Sequence, residues 1–286
     1  MPWLACASHG IILSVIKTLT TLIGCVLLCS CTHWPSPHER KMQADQLAAG
    51  WQAQVYPTSY FSLMTYQPAA GNKADNLTIY IEGDGFAWVS ASSPSLNPTP
   101  INPLALKLAL KDPGPAAYIA RPCQFVALNK EQLCRQQYWT SHRFSEEVIQ
   151  STNEVVNLLK AKYHAQNISL VGYSGGGAVA TLVAARRHDV VGIITIAGNL
   201  DHQYWTQTQH LSPLAGSLNP ADFADDLHTI PQLHYVGAED KVMPVAVAQA
   251  YKRHFKNADR VKIIEVSGFS HQCCWLEEWP GMKLEF

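Results

Sequence analysis

The chain has 286 residues, with 21 Lys and Arg against 22 Asp and Glu, a net charge of −1, 47% hydrophobic residues and 15% charged ones. Disordered chains are poor in apolar residues, and collagen-like chains are far richer in Gly than the 17 present here, so both classes are excluded. Balanced charge also argues against a nucleic-acid binder, which shows a clustered excess of Lys and Arg.

The first thirty residues stand apart from the rest. Residues 11–31 read IILSVIKTLTTLIGCVLLCSC, an apolar run broken once by Lys17 and followed by the loop-like THWPSP. A positive residue, a short apolar run and a small residue before a cut site make a secretory signal. The unbroken run, residues 18–30, is shorter than the roughly 20 residues a membrane span needs. A span beginning at Ile11 is the alternative, and it places Lys17 inside the bilayer at a cost of about 2.5 to 3.5 kcal/mol.

Leu28-Cys29-Ser30-Cys31 resembles the lipobox of bacterial lipoproteins, and Leu22-Ile23-Gly24-Cys25 also fits. Cys31 is preferred, because cutting before Cys25 would leave Val26-Leu27-Leu28 on the new amino terminus. The resemblance implies a signal peptide over residues 1–30, lipidation of Cys31 and anchoring in a bacterial envelope. Thr32, rather than Asp, after the lipidated residue points to the outer membrane. Two or more acyl chains make such anchoring stable; the plainer reading is an ordinary signal peptide with incidental cysteines.

Apart from Cys6, Cys25, Cys29 and Cys31, the cysteines are Cys123, Cys134, Cys273 and Cys274. Four allow three pairings, among which the sequence does not choose. Export implies at least one disulfide, against the alternative of buried free thiols. Cys273 and Cys274 are adjacent and no Cys-x-x-Cys pair exists, which argues against zinc.

Residues 31–57 read as a tether with a short helix in 39–51. Strands and helices then alternate: strands at 61–66, 77–82 and 116–120, a helix at 145–163 with Ser145 as its N-cap, a strand at 168–171, and a helix at 175–188. Strands at 190–197, 233–236 and 261–266 follow, with an amphipathic segment at 245–256. Strands apolar on both faces and alternating with helices indicate an α/β fold, a mostly parallel sheet covered on both sides. Residues 58–286 therefore form one domain, in which the Pro-rich stretch 93–103 is a loop.

The chemistry gathers after the strands. Residues 168–177, ISLVGYSGGG, are a strand, then Gly172-x-Ser174-x-Gly176, then a helix. The glycines let the chain turn sharply, so that a Ser in strained geometry exposes its oxygen at the top of the sheet. A Gly-rich phosphate turn or plain packing is the alternative, although no Gly-Lys-Ser/Thr follows to make a Walker A loop.

At this motif the chain resembles the α/β-hydrolase family, whose nucleophile, acid and histidine occur in that chain order. The resemblance implies Ser174 as nucleophile, Asp240 as acid in the loop after strand 233–236, and His271 as base after strand 261–266. Asp240 is favoured over Glu239 by its spacing of three from Gly237, and Asp201 after the preceding strand is the alternative acid. His254 precedes the last strand, beyond reach of Ser174. An oxyanion hole is expected from the N–H of Gly175 and of Asp84 or Gly85. Here the sequence Glu82-Gly83-Asp84-Gly85 departs from the family's His-Gly-Gly-Gly, and the role of the missing His is not carried over.

The resemblance implies cleavage of a carboxylic ester or related acyl bond through an acyl-enzyme, on a small-molecule acyl substrate, with no metal or organic cofactor. A peptidase of the same fold, and a non-catalytic lipoprotein using the fold as a binding module, are the alternatives. Residues 199–231 resemble a small lid or specificity loop, with Asn199, Asp201, Trp139 and Trp275 as candidate pocket residues. A bridge at Cys273 or Cys274 would fix the loop carrying His271.

Overall fold

The computed structural model describes residues 34–69 and 73–282. The signal segment, its cut site and Cys31 lie outside the described residues. Two units are distinguished, Met1–Ser36 and Pro37–Phe286, and the second carries the fold.

Its strands are β1 (Trp51–Pro57), β2 (Ser62–Pro68), β3 (Asn76–Ile81), β4 (Trp88–Ser90), β5 (Ser93–Pro94), β6 (Ala116–Ile119), β7 (Asn167–Tyr173), β8 (Val190–Ile196), β9 (Gln232–Gly237) and β10 (Val261–Val266). The main sheet runs β1-β2-β6-β3-β7-β8-β9-β10, while β4 and β5 pair separately. β1 with β2 and β2 with β6 are antiparallel; from β6 to β10 every pairing is parallel. The helices are α1 (Pro37–Leu47), α2 (Leu104–Leu110), α3 (Glu146–Lys162), α4 (Gly175–Ala184), α5 (His202–Thr208), α6 (Ala224–Leu227), α7 (Val245–Lys252) and α8 (Trp275–Glu278).

Successive residues of a strand face opposite sides, and here both sides are buried. Leu77, Ile79 and Ile81 of β3, Ile168 and Leu170 of β7 and Ile193 of β8 pack into one core with α3, α4 and α7. Tyr80, Val171, Tyr173, Ile194 and Ile196, from alternate positions, pack into a second core with α1, α2 and α8. The continuous apolar runs seen in the sequence are therefore the two faces of one covered parallel sheet.

Three expectations need correction. The domain begins at Pro37, not at residue 58: α1 buries Ala44 against the second core, and β1 is an edge strand of the sheet. β1 pairs on one side only and both its faces are half-buried or exposed, so its brief alternation of Trp51, Ala53 and Val55 with Gln52 and Gln54 is a weak strand signal. Ser145 stands at the N-cap of α3, but its side chain makes no capping bond. The helix read to residue 188 ends at Ala184, beyond which Arg186 turns to Glu146 and Arg187 to Asp189.

α2 falls in a stretch given no assignment. The insert 199–231 packs on the domain through Leu200, Leu214, Ala221, Ala224 and Leu227, which belong to the first core.

Candidate active site

β7 delivers Ser174 at the carboxyl edge of the sheet, and α4 begins at the next residue. Ser174 has φ 52° and ψ −121°, a left-handed conformation that a non-glycine residue adopts at a cost of about 1 to 3 kcal/mol. The turn closes tightly enough that a β-carbon on Gly172 would meet the carbonyl of Gly176. The sharp corner leaves Ser174 half-buried while the residues on both sides of it are buried.

Two and three strands away in sheet order, the loops after β9 and β10 bring two more side chains to the same edge. Oδ2 of Asp240 lies 2.8 Å from Nδ1 of His271, and Nε2 of His271 lies 3.0 Å from Oγ of Ser174. A carboxylate only accepts, so Nδ1 carries the proton and Nε2 is left to accept from the serine hydroxyl. The other oxygen of Asp240 accepts the N–H groups of Val242 (2.8 Å) and Met243 (2.7 Å). The acid is thus buried, fully hydrogen-bonded and fixed in direction. Tyr173 holds the base from below, its hydroxyl donating to the His271 carbonyl at 3.2 Å with the two rings 5.5 Å apart.

The alternative assignments fall elsewhere. Glu239 is exposed. Asp201 caps α5 through the N–H of Tyr204, accepts from Asn219 and stands 3.5 Å from His254, so these two form a pair of their own away from His271.

The turn after β3, residues 82–85, lies against the elbow. A β-carbon on Gly175 would run into the carboxylate of Asp84. Gly85, exposed and at φ +67°, completes the turn. The three backbone donors named for an oxyanion hole, on Asp84, Gly85 and Gly175, therefore belong to two adjoining segments. Glu82, where the family pattern has His, is buried beneath the turn and accepts from the Gly83 N–H (2.9 Å) and the Tyr118 hydroxyl (3.2 Å). Burial pushes its carboxyl up to about 7.

Of the candidate pocket residues, Asn199 is buried beside the nucleophile, its N–H donating to the Ser174 carbonyl. Trp139 is a core residue whose indole N–H reaches the Ser95 carbonyl, and Trp275 is wholly buried, bonding the carbonyls of Ser270 and His271. Both tryptophans brace loops and do not line a pocket. Cys123 is joined to Cys134, with Cα atoms 5.5 Å apart, and Cys273 to its neighbour Cys274.

Sequence reasoning missed Arg121 and Arg143, whose guanidiniums bind the Asp84 carboxylate at 3.2 and 2.6 Å. Arg121 was visible only as the residue that stops a strand, and nothing local marks Arg143; what joins them to Asp84 is tertiary. Burial draws the Arg121 guanidinium down to about 10, against the opposing pull of Asp84.

No protein-family model matches the sequence, and no curated protein does. Among solved structures, the chain is similar to an esterase of Pyrococcus furiosus, with TM-score 0.57 and 12% identity over 84% of this chain and 90% of that one. It is similar to Est1E from Butyrivibrio proteoclasticus, with TM-score 0.53 and 17% identity over 79% and 93%. A third likeness is to an alpha-beta serine hydrolase homologue from Coxiella burnetii, with TM-score 0.51 and 15% identity over 77% and 89%. Likeness at these identities is one of fold, and the fold is the α/β-hydrolase fold.

Proposed function

We propose that the protein is a serine hydrolase that cleaves a carboxylic ester or related acyl bond of a small molecule. The observation that carries this reading is the unbroken relay from Ser174 Oγ through both nitrogens of His271 to Asp240. A binding module has no use for three such groups in register, each at the end of a different strand. Esterases among the structures of similar fold agree with this reading.

In the proposed mechanism, Nε2 of His271 takes the hydroxyl proton as Ser174 Oγ attacks the acyl carbon. Asp240 holds the proton on Nδ1 and stabilises the imidazolium. The carbonyl oxygen becomes an oxyanion held by the N–H of Gly175 together with that of Asp84 or Gly85, at the positive end of the ten-residue helix α4. His271 then protonates the leaving group, and water, deprotonated by the same nitrogen, releases the acid and restores Ser174.

The test is fluorophosphonate labelling and turnover of a p-nitrophenyl ester by the protein and by Ser174→Ala. Labelling and turnover that vanish in the variant support the assignment; a folded wild-type protein that neither labels nor hydrolyses returns the binding module. We further propose that the protein is anchored in a bacterial envelope, facing the periplasm from the outer membrane, through acyl chains on Cys31. The lipobox-like Leu28-Cys29-Ser30-Cys31 supports this. Incorporation of labelled palmitate that is lost in Cys31→Ser is the expected result.

A further inference from the structure

The turn 82–85 carries two carboxylates where glycine and histidine are the pattern, and both are engaged. Beneath the turn, Glu82 bonds the Gly83 N–H and Tyr118. On its other side, Asp84 Oδ2 accepts from Arg143 Nη1 at 2.6 Å and Oδ1 from Arg121 Nη1 at 3.2 Å. The arginines are themselves fixed. Arg121 donates to the Arg143 carbonyl and lies over the Phe144 ring, and Arg143 Nε donates to the Thr140 carbonyl at 2.7 Å. Gln124 closes the frame, donating to the Gly83 carbonyl at 3.0 Å and accepting the Arg121 N–H at 3.1 Å.

The two guanidinium side chains are 5% and 7% exposed, and the Asp84 side chain is 17% exposed. Desolvating three charges is expensive, and such a cluster adds little net stability over an apolar equivalent. What it does supply is direction: each planar guanidinium gives one N–H to Asp84 and another to a backbone carbonyl, which fixes the guanidinium plane and with it the carboxylate. One carboxylate between two guanidiniums also leaves the cluster positive, so it does not oppose negative charge developing beside it.

We propose that Asp84 is a positioning residue, gripped by Arg121 and Arg143 so that the turn presents its N–H groups to the oxyanion while its carboxylate sets the spacing to Gly175. The inference rests on Ser174 being the nucleophile. It assigns to a carboxylate and two arginines the task of holding this turn.

The experiment compares the full chain with Asp84→Asn and Arg143→Lys, counting active sites by fluorophosphonate titration so that kcat is expressed per competent Ser174. Small displacements of a catalytic donor cost up to about 100-fold. The expected result is a fall in kcat of at least about tenfold in both variants, with KM nearly unchanged. Affinity for a trifluoromethyl ketone, which forms a tetrahedral adduct, should fall by the same factor as kcat/KM. A merely structural role would lower the number of titratable sites and leave kcat per site intact, and that result overturns the proposal. If Asp84→Asn does not fold, Arg143→Lys, which keeps the charge and loses the second donor that bonds the Thr140 carbonyl, decides alone. Full turnover by Ser174→Ala overturns the nucleophile assignment and this inference with it. Loss in Ser174→Ala with unchanged kcat per site in the other two overturns this inference only.

Discussion

The carboxylate of Asp84 occupies the space into which a β-carbon on Gly175 would project. The ion pairs with Arg121 and Arg143 oppose any shift of that carboxylate. Gly175→Ala therefore forces two fixed segments apart. Overpacking of this kind costs about 1 to 3 kcal/mol, and it separates the donors on either side of the oxyanion. We expect a lower urea midpoint together with a loss of ester hydrolysis larger than the loss of folded protein explains.

Asp240→Asn separates the fold of the acid loop from its chemistry. The amide oxygen of Asn still accepts from Val242 and Met243, which keeps the loop closed. Its nitrogen then faces Nδ1 of His271 and favours the tautomer with the proton on Nε2, which cannot accept from Ser174. Turnover should fall by about 10⁴-fold, with thermal stability close to that of the parent protein. A fall of less than tenfold would move the acid role away from Asp240.

The parts of this site that could be read in the sequence are those specified locally. Gly172-x-Ser174-x-Gly176 follows a strand, Asp240 sits three residues after Gly237, and His271 follows the last strand; each depends on a turn that a few adjacent residues determine. The parallel pairing of β6, β3, β7, β8 and β9 was legible because these strands are buried on both faces and read as mostly apolar runs, whereas β10 at the edge is half exposed. β1 was missed although Trp51, Ala53 and Val55 alternate with Gln52 and Gln54, because the pattern is only five residues long and, at the sheet edge, neither of its faces is buried. Arg121 and Arg143 were invisible for a different reason. They lie 37 and 59 residues from Asp84, and charged residues in sequence read as solvated surface until the fold buries them.

The Cys123–Cys134 bridge closes a loop with a sequence separation of 11. The chain-entropy relation gives about 2.7 kcal/mol for a loop of that length. The bridge also ties down the segment from which Arg121 and Gln124 reach the turn 82–85. Replacing both cysteines by Ala should lower the unfolding free energy by about 2 to 3 kcal/mol, read as a reduced denaturant midpoint. An effect below about 0.5 kcal/mol, the usual size for surface changes, would show that the segment is held by its polar contacts alone.

Glu82 makes stability depend on pH in a direction opposite to that of most carboxylates. Its carboxyl titrates at about 7 in the fold against an ordinary value of 4.5, because burial penalises the charged form more than Gly83 and Tyr118 favour it. A group with a raised folded pKa binds its proton more tightly when folded, so its contribution is complete below about 4.5 and is lost as pH rises through about 7. At 1.36 kcal/mol per unit the loss approaches about 3 kcal/mol. Glu82→Gln keeps an acceptor for the Gly83 N–H and cannot ionise. The difference in unfolding free energy between Glu82→Gln and the parent should therefore shift in favour of the variant between pH 4.5 and 8, other titrating groups cancelling in the comparison. Urea titrations at four pH values across that range measure it. A flat difference would mean that Glu82 carries its charge in the fold at no penalty, and that the polar floor of the turn is better solvated than its burial implies.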